Sequence, residues 1–199
     1  MGKLFIDQGD HDLAEELYEE VLVLSREFGD ASTLATCLTD LGYVSLLQGN
    51  HAKATVLGKE AMSLSRERGF TGSLARALNC LGWAALLRGD HERASGLYKE
   101  SLALYKESGD KASAAESLEG LACAAGARGE SEWPARLFGA AETARDQQSP
   151  AQRALREPYL VAARSRLDAT AWEAAFAEGR AMKIEEAIAH ALEDAKRQA

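Results

Sequence analysis

A chain of 199 residues, 46% hydrophobic and 27% charged, suits a globular fold of one or two domains or a short array of repeats. Its formal charge of −8 speaks against nucleic acid as a direct partner, since phosphate binding needs a basic face, and no apolar run approaches the roughly 20 residues needed to span a membrane. The opening MGKLFIDQGD lacks the apolar core of a secretion signal, and the odd, unclustered Cys37, Cys80 and Cys123 fit buried thiols in a reduced, cytoplasmic compartment.

Residues 1–30 hold most of the excess charge, with nine acids against Lys3 and Arg26. Such a stretch reads as the solvated face of a helix or as a contact surface for something basic. Residues 2–8 align with the end of a later helix, Gly2 with Gly42, Leu4 with Val44 and Gln8 with Gln48. The chain thus opens in mid-repeat, as expected of a segment of a longer protein or the product of a truncated gene. Leu4, Phe5 and Ile6 are then candidates for self-association into a homo-oligomer through an uncapped end.

The stretch LGYVSLLQGNHAKA (41–54) returns as LGWAALLRGDHERA (81–94), forty residues on. Gly9, Gly49, Gly89 and Gly129 keep that period, as do Gly29, Gly69 and Gly109, and Leu17, Leu57, Leu97 and Leu137. A fixed period of this length is the mark of a helical solenoid. Within each period the apolar residues fall at steps of three and four, as in Leu34, Leu38, Leu41 and Leu74, Leu78, Leu81. The glycine turns cut each period into two helices, and the Asn or Asp after each turn is placed to cap the next one. Helices are expected near 10–28, 31–48, 51–68, 71–88, 91–108, 111–128 and 131–146. No hairpin can bury its own apolar stripe, so the units must stack.

Pro150 starts a further helix near 151–166. Thr170 with Glu173 forms a capping box for one near 170–179, ended by Gly179, and a last one runs near 183–195 with Lys183 at a weak cap position. These helices are expected to close the C-terminal end of the stack. The array therefore spans 1–148, as a partial repeat (1–30) and units near 31–70, 71–110 and 111–148, followed by a helical cap at 149–199.

Candidate chemistry is sparse. His11, His51 and His91 recur just after each turn, but equivalent positions in stacked repeats lie on the order of 10 Å apart, too far to share a metal. They are read as packing residues, and His190 as a surface one. Gly58-Lys59 lacks the glycine and the hydroxyl residue that a phosphate loop needs around it. The acidic doublets Glu15-Glu16, Glu19-Glu20 and Glu185-Glu186 have no partner base. No catalytic residue, metal site or cofactor is assigned.

Leu38, Leu41-Gly42, Gly49 and Ala54, repeated as Leu78, Leu81-Gly82, Gly89, Ala94 and Tyr98, resemble the tetratricopeptide repeat in a forty-residue form. Leu118, Leu121, Gly129 and Phe138 continue the pattern, while Gly58, Ala122 and Pro134 depart from it. The resemblance implies an all-α right-handed superhelix whose first helix in each pair lines a concave groove. Carried over, the groove residues are Thr36, Thr39 and Tyr43, then Arg76, Asn79 and Trp83, then Glu116, Glu119 and Cys123. Tyr43 and Trp83 would either form an apolar floor for a peptide or helix, or lie buried between units.

The stretches Arg136 to Glu142, Trp172 to Arg180 and Ile184-Glu185-Glu186-Ala187 are similar to the end of helical-repeat regions in large bacterial regulators. Those regulators join a STAND-type ATPase to a LuxR-type DNA-binding module. The resemblance implies a non-catalytic domain that binds a protein, peptide or inducer. The alternative is a free-standing scaffold or oligomerisation adaptor.

Overall fold

The computed structural model describes residues 2–144 and 150–197. Over these the regular structure is entirely helical: α1 (Gly2–Gln8), α2 (His11–Phe28), α3 (Ala31–Leu47), α4 (His51–Arg68), α5 (Thr71–Leu87), α6 (His91–Ser108), α7 (Lys111–Ala127), α8 (Glu132–Ala144), α9 (Pro150–Arg164), α10 (Ala169–Ala181) and α11 (Ile184–Arg197). The boundaries have local causes. Asp10, Asp30, Asn50, Asp90 and Asp110 each accept a backbone N–H of the helix that follows, as capping residues do. Phe70 stands at the equivalent place before α5 and makes no such bond. Gly29, Gly69 and Gly109 end their helices in the left-handed region, which a side chain would resist.

Successive helices pack as antiparallel hairpins, and each pair stacks on the next. The first helices of the pairs, α3, α5 and α7, also touch one another and so form the inner, concave layer; α4, α6 and α8 form the outer one. The core lies between the layers. Tyr98 is fully buried there, with its ring against Gly82 and Gly120, where an added Cβ would come within 2.7 and 2.2 Å of it. Those two glycines make the slot that the large ring fills.

The last three helices divide. α10 packs closely on α8, and α11 reaches α6, α7 and α8, so these two cover the end of the stack. α9 does something else: it lies along α7 and extends to α1, on the concave side. Two local expectations are corrected. The cap of α10 is Asp168, whose side chain accepts from Ala171 N, because its extended backbone frees the carboxylate to turn onto the helix end; Thr170 is already helical. Gly179 does not end α10 but lies buried within it, where a Cβ would fall 2.0 Å from the Arg136 carbonyl oxygen. Gly139 on α8 faces the Phe176 carbonyl in the same way, at 2.2 Å. The pair lets two backbones cross in near contact. At α11, Glu186 reaches back to the Lys183 N–H at 3.4 Å, half of a capping box, while the Lys183 side chain caps nothing.

Candidate binding chamber on the concave face

The nine groove candidates separate by burial, with Cys123 fully buried. Thr36 is half-buried and donates to the Ser32 carbonyl, and Thr39 is buried and donates to Ala35, both inside their own helix. Asn79 is 2% exposed and its Oδ1 accepts from Ser117 at 3.0 Å, with Ser101 alongside, so it joins α5 to α7 from within. Trp83 is 6% exposed, edge-on to Tyr98 at 6.1 Å and tilted against Tyr159 of α9 at 6.3 Å. It is a core residue rather than an open floor. Glu119 is likewise sealed, accepting from Arg156 of α9 at 2.7 Å.

α9 is the reason. It enters the concave side with Leu155 buried, pairs Arg156 with Glu119, and sets the Tyr159 hydroxyl 3.3 Å from the Leu86 carbonyl. The part of the expected groove at Trp83 and Glu119 is thereby filled by the chain itself.

Tyr43, Arg76 and Glu116 come together in what remains, a chamber of about 450 Å³ between α3, α5, α7 and α9. Asp40, Tyr18 and Ser113 join them on its polar side, while Ile6, Leu47 and Leu155 supply apolar wall. A volume in this range accepts a small molecule or one or two peptide side chains, not a whole helix. Asp40 accepts from Arg76 Nη2 at 2.5 Å. Burial works against the Arg76 charge, but Asp40, together with Tyr43 and Tyr105, more than offsets it and holds the guanidinium more firmly protonated. Burial also raises Tyr18, helped by the Asp40 carboxylate, and holds the Tyr43 hydroxyl well above the ordinary tyrosine range. Both phenols are therefore neutral hydrogen-bonding groups at any ordinary pH. The chamber offers a fixed ion pair, hydroxyls and a second carboxylate against an apolar wall, groups fit to pair with or hydrogen-bond a ligand.

Sequence reasoning missed Asp40, Tyr18 and Ser113. Asp40 left a trace, being an acid where the repeat has Cys80 and Gly120. The α9 residues left none, since no periodicity ties them to the groove. Elsewhere, the three cysteines are free and buried. Burial raises each thiol, Cys80 to about 12. His11, His51 and His91 are half-buried and His190 is exposed. No group of three His, Cys, Asp or Glu able to hold a metal occurs among the described residues. None of the described helices is long and apolar enough to cross a membrane.

Residues 1–67 match one family model of the tetratricopeptide repeat, and residues 74–108 match another. No curated protein matches the chain.

Proposed function

From the premise that this chain carries a tetratricopeptide-repeat domain, we propose that it is a non-catalytic recognition unit whose ligand enters the chamber at Tyr43, Arg76 and Glu116. Repeats of this family mediate protein–protein contacts. The carrying observation is convergence: residues from α1, α2, α3, α5, α7 and α9 meet at one concave site. The ligand is a peptide segment that inserts one or two side chains, or a small inducer of similar size. A basic group would meet Asp40 and Glu116, and an acceptor would meet Arg76.

In cells the domain acts as the sensing part of a cytoplasmic bacterial transcriptional regulator, its occupancy relayed to an ATPase and a DNA-binding module. The likeness of residues 136–142, 172–180 and 184–187 to such regulators supports this reading. A second reading, a free-standing scaffold, has its own support in the apolar side chains exposed at the N-terminal end, Leu4 and Phe28 among them.

Tiled peptide arrays probed with the wild-type chain and with Arg76→Glu and Tyr43→Ala test the site. Binders lost in both variants support it, and binders that survive both reject it. An antibody blot of native extract tests the setting: a band several times heavier than 21.4 kDa supports the regulator, and a band at that mass supports the scaffold.

A further inference from the structure

The repeat offers the same place for comparison at successive units, where an outer helix meets the turn and the outer helix that follow it. Between α2 and α4, Lys53 pairs with Glu15 and, at 3.0 Å, with Glu19. Gln48, at the turn, donates to Asp12 at 3.2 Å and to Glu15 at 2.7 Å. Between α6 and α8, Arg128 donates to Ser95 and, at 2.5 Å, to Glu130. The chain closes both places with its own carboxylates.

The middle place is built differently. Forty residues on, Glu15 becomes Thr55, Glu19 becomes Lys59 and Asp12 becomes Ala52, while Gln48 becomes Arg88 and Lys53 becomes Arg93. The acids are gone and the cations have multiplied. Lys59, Arg88 and Arg93 line a pocket of about 310 Å³ between α4, α5 and α6, with buried Leu81 and Ala85 as its floor. Thr55 turns its hydroxyl back onto the His51 carbonyl at 2.8 Å and is too short to fill the space that Glu15 takes one repeat earlier. None of the three cationic side chains meets a carboxylate among the described residues. Asp90, on the same wall, caps α6 by accepting from the Arg93 backbone N–H at 3.2 Å. Such a cluster runs against the charge of the chain as a whole, which is −8.

We propose that this pocket binds a dianionic phosphoryl group, in the place that the Glu15 and Glu19 carboxylates take one repeat earlier. The neighbouring place supplies the sign and the number of charges: two carboxylates lie against one lysine there, and three cations await them here. Two guanidinium forks and an ammonium suit a group with two charges and three acceptor oxygens, which a lone carboxylate does not offer. Leu81 and Ala85 give the carbon of a phosphate ester an apolar wall to rest on. The group arrives on a small molecule or on a phosphorylated side chain of a partner, and its chemistry in the pocket is the same. The pocket is separate from the concave chamber and does not depend on it.

Inorganic phosphate, phenyl phosphate and a short phosphoserine peptide are titrated into the full chain at constant ionic strength, because salt alone screens a cationic cluster. Amide NMR shifts report where each binds. All three bind saturably and move the amides of residues 55–59 and 88–93, and acetate does not. Arg88→Ala and Arg93→Ala each weaken binding about tenfold, the loss of one charge-assisted hydrogen bond. Lys106→Ala, at an exposed cation further along α6, leaves it unchanged. Thr55→Glu with Lys59→Glu returns the acids of the preceding repeat, and that variant binds no phosphate while melting no lower than the wild type. A phosphopeptide that binds tighter than phenyl phosphate assigns the group to a partner protein; one that binds no tighter assigns it to a small ester. No saturable binding, binding that acetate matches, or binding kept in both Arg93→Ala and the double variant overturns the proposal. Shifts confined to the chamber around Arg76 overturn it too.

Discussion

Arg156 on α9 and Glu119 on α7 form an ion pair that is almost closed to solvent, with side chains 12% and 7% exposed. Breaking such a pair from one side strands a buried charge, at a cost of roughly 3–5 kcal/mol. Arg156→Ala and Glu119→Ala are each expected to lower the urea midpoint accordingly. Arg156→Met with Glu119→Leu should lose far less, since neither charge remains. Hydrogen exchange should rise across residues 150–164 in the single variants and stay unchanged in α10. Equal exchange in both helices would mean that the pair does not hold α9 in place.

The α8–α10 crossing gives a glycine test with opposite signs. Gly179→Ala places a Cβ 2.0 Å from a carbonyl oxygen that cannot move without the helix, so a loss of about 3 kcal/mol or more is expected. Gly96 lies inside α6 with nothing within 4 Å of an added Cβ. There alanine removes backbone freedom from the unfolded chain and should stabilise by about 0.5–1 kcal/mol. Thermal melts of the two variants decide both.

Cys37, Cys80 and Cys123 should be inert in the native state. A thiol raised to about 12, as at Cys80, is thiolate in only about one molecule in ten thousand at pH 8, and burial blocks the reagent as well. A thiol reagent should label none of the three in buffer and all of them in denaturant. Labelling of the native protein faster than it unfolds would contradict the described packing.

Glu15 accepts hydrogen bonds from Lys53 and from Gln48, and these, Lys53 first, hold its carboxyl below the ordinary glutamate value. A folded pKa below the unfolded value of about 4.3 means that the stabilisation is complete above that pH. It is lost as pH falls through the lower, folded value. Glu15→Gln should therefore cost about 1 kcal/mol at neutral pH, the top of the range for a partly exposed pair, and much less near pH 3. Urea midpoints at the two pH values measure the difference. An equal cost at both would assign the effect to packing instead of charge.

Local and periodic features were legible in the residues. The apolar spacing and the glycine turns placed α2 to α8 within a residue or two over the described range, because helix period, capping and positive φ are properties of short segments. The forty-residue period gave the stacking, since a stripe repeated in each hairpin has only its neighbours to cover it. Tyr43, Arg76 and Glu116 were named from the resemblance, which puts the first helix of each pair on the concave side; they line the chamber, while Trp83 and Cys123, at the positions equivalent to Tyr43, are buried. Tertiary structure alone decided that α9 turns inward, so that Trp83 and Glu119 are interior, that Asn79 joins α5 to α7 from within, and that Asp40 and Tyr18 face the chamber. It alone decided that Gly179 serves a helix crossing rather than a helix end. Where a helix outside the repeat comes to rest depends on long-range burial and a single ion pair, and neither leaves a period in the sequence.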